Sequence, residues 1–78
     1  MSKTVMLYTK ETCALCDEAY AILEDLQTEV DFTIETVDIY QDEALLEKFM
    51  VMIPVVEVDG EIIDYGRVSR NNVRKRLL

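Results

Sequence analysis

Apolar and polar positions change their period several times along this chain, and each change marks an element. Thr4-Val5-Met6-Leu7-Tyr8-Thr9 is β-branched, apolar or aromatic on both faces, which predicts a buried strand. After Lys10-Glu11-Thr12, apolar residues recur at spacings of three and four from Leu15 through Cys16, Ala19, Ile22, Leu23 and Leu26. That period predicts a helix from about Cys13 to Gln27, with Thr12 as its N-cap and the acids Asp17 and Glu18 near its start. Phe32 to Ile39 returns to near-alternation, a second strand with an irregularity expected near Thr36-Val37. A shorter helix begins at Gln41 or Asp42 and ends near Met50, with Ala44, Leu45, Lys48 and Phe49 on related faces. Pro54 stops it. Val55–Val58 and Glu61–Tyr65 flank Asp59-Gly60, the dipeptide of a tight hairpin. Ser69 can cap a last helix from Arg70 to Leu78, with Val73 and Leu77 facing inward.

The order is β-α-β-α-β-β-α. The first two strands and the helix between them form a βαβ unit, so those strands should be parallel. The expected fold class is α/β, a four-stranded mixed sheet with three helices, in a single domain over residues 1–78. A chain this short buries only about 60% of the surface its unfolded form exposes, so it tolerates few unpaired buried polar groups. Two Gly and one Pro are too few for a many-stranded sandwich or barrel. The longest apolar run, Phe49 to Ile53, falls far short of the roughly 18 residues that cross a bilayer. Met1-Ser2-Lys3 leads directly into the first strand, which gives no signal peptide and an expectation of a cytoplasmic protein.

The net charge of −8 conceals an asymmetry. Residues 1–66 carry −13, whereas the last twelve carry +5 from Arg67, Arg70, Arg74, Lys75 and Arg76. The acidic body argues against nucleic acid as a partner. The basic tail reads as a helix with cations near its C-terminal end, which the helix dipole favours.

The chain has no His, which removes Ser-His-Asp and Cys-His nucleophiles and the usual zinc-enzyme ligand sets. Its two cysteines, Cys13 and Cys16, are spaced C-x-x-C where the first strand meets the first helix. At i and i+3 they share a helix face and can bridge. A thiolate at Cys13 would receive unpaired N–H groups and the positive end of the dipole. Lowering a thiol pKa from about 8.5 to about 6 raises the thiolate fraction at neutral pH from a few per cent to roughly 90%. Lys10 would add to this; Glu11, Asp17 and Glu18 oppose it. As a purely structural disulfide the pair closes a four-residue loop and contributes only about 2 kcal/mol. As a metal site it leaves zinc half-coordinated unless two chains share the ion or an iron–sulfur cluster. Two inert core cysteines are a further alternative. Thiol–disulfide exchange is the reading that C-x-x-C at the start of a βαβ unit favours. An Ile53–Pro54 bond in cis would leave the backbone of Ile53 open to an extended substrate. A trans proline that merely ends a helix is the other reading, and the local sequence does not choose between them.

These residues resemble the glutaredoxin branch of the thioredoxin superfamily over nearly the whole chain. The matching pieces are Leu7-Tyr8-Thr9-Lys10 before Cys13-Ala14-Leu15-Cys16, then Ile53-Pro54-Val55-Val56, Asp59-Gly60 and a terminal helix. Cys13-Ala14-Leu15-Cys16-Asp17-Glu18-Ala19 is similar to small bacterial glutaredoxin-like proteins with a C-x-L-C-D-E-A site. The Tyr-Thr-Lys lead-in resembles redoxins that feed electrons to ribonucleotide reductase. The resemblance implies a dithiol–disulfide oxidoreductase with Cys13 as attacking thiol, Cys16 as resolving thiol and Pro54 as a cis-proline. Tyr8, Lys10, Ala14, Leu15, Ile53, Pro54, Gly66 and Arg67 would be its substrate contacts. In glutathione-using members a Gly-Gly pair followed by an acid precedes the last helix, which takes the γ-glutamyl carboxylate. Here Gly66 stands alone before Arg67-Val68-Ser69, and Ala-Leu replaces the Pro-Tyr frequent in those members. Arg67 and Arg70 remain able to attract a carboxylate. The resemblance implies no bound cofactor. Its partners would be a disulfide protein or small-thiol substrate, with glutathione, another low-molecular-weight thiol or a flavin reductase as the electron source. No membrane partner is expected, given the short apolar runs, and a monomer is expected.

Overall fold

Strand β1 (Lys3–Thr9) takes an interior place in a four-stranded sheet of order β2-β1-β3-β4, in a computed structural model that describes residues 3–78. It pairs in parallel with β2 (Phe32–Asp38), from Lys3↔Phe32 to Thr9↔Asp38, and antiparallel with β3 (Val55–Val58), with Tyr8 opposite Val55. β3 and β4 (Glu61–Tyr65) form the hairpin. Its turn residues Asp59 and Gly60 have φ of 53° and 77°, the left-handed pair that a two-residue hairpin turn of matching twist requires. The β1–β2 register runs without a break, so the irregularity expected near Thr36-Val37 is absent there. It occurs instead between Val56 and Glu57, where β4 carries one residue more than its partner.

The two faces of β1 have different covers. Val5 and Leu7 point to one side, where they are fully buried against Ala19, Leu23 and Leu26 of helix α1 (Ala14–Leu26) and Val73 and Leu77 of helix α3 (Arg70–Leu77). Burying side chains of this size stabilises by about 1.5–3 kcal/mol each. Tyr8 points to the other side, into a smaller cluster with Ile39, Val55 and Phe49 of helix α2 (Glu43–Phe49). A short 3-10 turn (Ile39–Gln41) joins β2 to α2.

The βαβ reading and the element order hold, with ends differing by a residue or two. The cap of α1 does not hold. Thr12 sits at φ 53°, in the left-handed region, and Cys13 is the N-cap. Thr12 therefore turns the chain sharply out of β1, and the next residue is the one extended enough to cap. Leu15, expected on the apolar face, is 38% exposed, while its neighbour Cys16 in the same turn is buried.

Strand direction decides what gathers where. The C-terminal ends of β1, β2 and β4 and the N-terminal end of β3 share one end of the sheet. Residues 10–13, 39–42, 50–54 and 66–69 therefore meet there. No helix among the described residues is long and apolar enough to cross a membrane.

Candidate functional site

Cys13 and Cys16 are disulfide-bonded, with their Cα atoms 5.2 Å apart. Cys13 is extended, at φ −132° and ψ 106°, and its own sulfur takes the place that a serine or aspartate oxygen fills in an ordinary cap. The Cys16 N–H donates to Cys13 Sγ at 3.1 Å, while the Asp17 N–H donates to the Cys13 carbonyl at 3.0 Å. The capping atom of α1 is thus the sulfur of Cys13. Cys13 is half-buried and Cys16 is 4% exposed, so solvent reaches the first sulfur more readily than the second. Ala14 and Leu15 lie exposed beside them.

The Ile53–Pro54 bond is cis, which resolves the choice the local sequence left open. Pro54 is fully buried, and its carbonyl accepts the Gly66 N–H at 2.8 Å; the Met52 carbonyl accepts the same N–H at 3.0 Å. With φ of 67°, Gly66 holds the start of the α3 segment against the Pro54 loop. The backbone of Ile53 is less open than expected. Its N–H donates to the Phe49 carbonyl at 3.1 Å, closing the end of α2.

Tyr8 is not at the surface of the site. Its ring lies 4.7 Å from that of Phe49, and its hydroxyl donates to Glu57 Oε1 at 3.0 Å. Glu57 lies diagonally across the β1–β3 pair on the same face, which is why the two side chains meet. Burial first, and then the Glu57 contact, push the Tyr8 hydroxyl above the ordinary tyrosine value. Tyr8 is a 9% exposed side chain of the smaller core cluster, packed against Phe49.

Lys10 is exposed and lines a pocket of about 430 Å³ with Glu11, Asp38, Tyr40 and Gln41. The parallel register that sets Thr9 opposite Asp38 brings these segments together. Asp38, Tyr40 and Gln41 carried no functional signal in the sequence. Arg67 is exposed. Arg70 is not free to attract a carboxylate. Its guanidinium is spent on Asp25 Oδ2 at 2.8 Å and on Glu29. Asp64, also missed by sequence reasoning, stands at the start of α3. Its Oδ2 accepts the Ser69 N–H at 2.8 Å and the Asn72 side-chain amide at 3.4 Å. An acid five residues before a capping serine was the available signal.

A family model described as a glutaredoxin-like domain (DUF836) matches residues 4–78. Protein Ne2328 from Nitrosomonas europaea, solved by NMR, superposes with a TM-score of 0.91 at 22% identity, over 100% of this chain and 94% of that one. A mutant thioredoxin from Halobacterium salinarum NRC-1 superposes with a TM-score of 0.67 at 18% identity, covering 97% of this chain and 72% of that one. A structure described as a malarial protein gives 0.68 at 20% identity, over 100% and 99% of the two chains. At these identities the superpositions speak to the fold, which is that of thioredoxin, and the C-x-x-C pair at the head of α1 fits a thiol redox role. With the family match running over nearly all of its length, the chain belongs to the glutaredoxin-like (DUF836) family, and its fold is that of thioredoxin.

Proposed function

We propose that this protein is a thiol–disulfide oxidoreductase that reduces disulfides with the Cys13/Cys16 dithiol. The observation that carries the reading is the Cys16 N–H donated to Cys13 Sγ at 3.1 Å, at the head of a 13-residue helix. A donor aimed at sulfur favours the thiolate, and the thiolate is the nucleophile in disulfide exchange.

The Cys13 thiolate attacks one sulfur of a disulfide R–S–S–R′. A Cys13–S–S–R bond forms, the substrate S–S bond breaks, and R′S⁻ leaves and takes a proton from solvent. Cys16 loses its proton and attacks the Cys13 sulfur. The internal disulfide forms and RS⁻ departs, so the substrate has gained two electrons and the protein has lost them. A small-molecule thiol or a protein dithiol returns these electrons by the reverse exchange. Greater exposure of Cys13 supports its role as attacker, and the burial of Cys16 supports resolution from within.

Intact-protein mass spectrometry of Cys13→Ser and Cys16→Ser, each reduced and then exposed to a disulfide, tests the reading. Cys16→Ser should accumulate an adduct that dithiothreitol removes, and Cys13→Ser should accumulate none. An adduct on Cys13→Ser alone reverses the roles, and no adduct on either variant ends the redox proposal.

A further inference from the structure

We propose that Asp64 is a specificity-determining residue that disfavours anionic disulfides at the Cys13–Cys16 site, an inference that rests on the redox function proposed above. Gly66, two residues after Asp64, is hydrogen-bonded to Pro54 and Met52, so the start of α3 stands at the same end of the sheet as the cysteines. A helix start with Arg67 and Arg70 beside it is a place where a substrate carboxylate would be expected to settle. In this chain an internal carboxylate already stands there. Asp64 Oδ2 holds the Ser69 N–H and the Asn72 side chain, and Asp64 Oδ1 accepts the Tyr65 N–H at 2.9 Å. Its charge offsets the positive end of the α3 dipole, and Arg70 is turned away to Asp25 and Glu29. A second carboxylate arriving here meets like charge.

The surroundings reinforce this. Glu11 and Asp38 line the pocket beside the site, against Lys10, while Arg67 is an exposed cation just before α3. With a net charge of −8 over the whole chain, the overall field works against anions and for cations. Disulfides that present ammonium, guanidinium or neutral groups next to sulfur are the substrate class that fits.

The test uses the full-length protein, reduced and freed of reductant, in single turnover, so that no external electron source is needed. Rates of internal disulfide formation are measured with cationic cystamine, neutral bis(2-hydroxyethyl) disulfide and anionic oxidised glutathione. Each is divided by the rate of the same disulfide with dithiothreitol, which removes intrinsic reactivity. Cystamine should exceed oxidised glutathione by about tenfold, the low end of what charge focusing supplies. The ratio should narrow by about threefold in Asp64→Asn, and also in wild type at about 1 M salt, where the Debye length is about 3 Å. Circular dichroism checks the fold, and Asp64→Ser replaces Asp64→Asn if the latter does not fold. A wild-type ratio near one, or a ratio that neither Asp64 variant changes, overturns the inference while leaving the redox function standing. Reaction with none of the three disulfides overturns the redox function itself.

Discussion

The Cys16 amide points its N–H at the sulfur of Cys13, 3.1 Å away, so the helix that carries both residues is capped by one of them. The same contact places the two sulfurs in unequal surroundings. Cys13 has a backbone donor at the mouth of the site, and Cys16 is 4% exposed, on the face of α1 that packs against the sheet. In the reduced protein Cys13 should therefore ionise at lower pH than Cys16. Ultraviolet thiolate absorbance against pH, in Cys13→Ser and Cys16→Ser, checks the order. A lower titration in the variant that keeps only Cys16 would contradict it.

Tyr8 and Glu57 give a second expectation. Tyr8→Phe keeps the ring contact with Phe49 and removes the hydrogen bond to Glu57, which should cost about 1 kcal/mol. Tyr8→Ala also empties the volume beneath the site and should cost about 3–5 kcal/mol. The pH dependence has a definite sign. The folded-state value of Tyr8 lies above its unfolded value of about 10, so its contribution is present below that value and is lost as pH rises through the folded one. Denaturant unfolding of wild type on the alkaline side should show this loss, and Tyr8→Phe should lack it.

Glu29 ties the end of α1 to α3 by accepting from Arg70 and, at 3.0 Å, from Arg74. Hydrogen bonds from Arg70 and then Arg74 hold its carboxyl below the ordinary glutamate range. The folded value is the depressed one, so the stabilisation is present above the unfolded value and is lost as pH falls through the folded value. Glu29→Gln should lower Tm at neutral pH by a small amount, since the groups are solvated, and should flatten the acid side of the stability profile. Melting curves from neutral to acid pH for both proteins check this. An unchanged acid limb would mean that Glu29 does not tie α1 to α3.

Thr12 is β-branched yet adopts φ 53°, a conformation that costs of order 1–3 kcal/mol outside glycine. Thr12→Gly should relieve that cost, offset in part by about 0.5–1 kcal/mol of added backbone entropy in the unfolded chain. The net effect should be neutral to stabilising, with the disulfide still able to form. Destabilisation by more than about 1 kcal/mol in denaturant titration would mean that the Thr12 side chain supports the turn.

What the sequence determined by itself was whatever is encoded within a few residues. The period of apolar positions placed three helices and four strands, Asp59-Gly60 specified its turn, and Cys13-x-x-Cys16 set the chemistry, because these depend on backbone sterics and neighbours at i+2 to i+4. What the tertiary structure decided was the state of each side chain near the site. Tyr8 looked like a substrate contact, but strand pairing sets it against Glu57, 49 positions away. Arg70 looked free for a carboxylate, but packing of α3 on α1 delivers it to Asp25, 45 positions away. Lys10 acquires Asp38 and Tyr40 as pocket neighbours only through the parallel register of β1 and β2. Side chains so far apart in the chain are joined by register and helix packing, and local sequence preference carries no record of either.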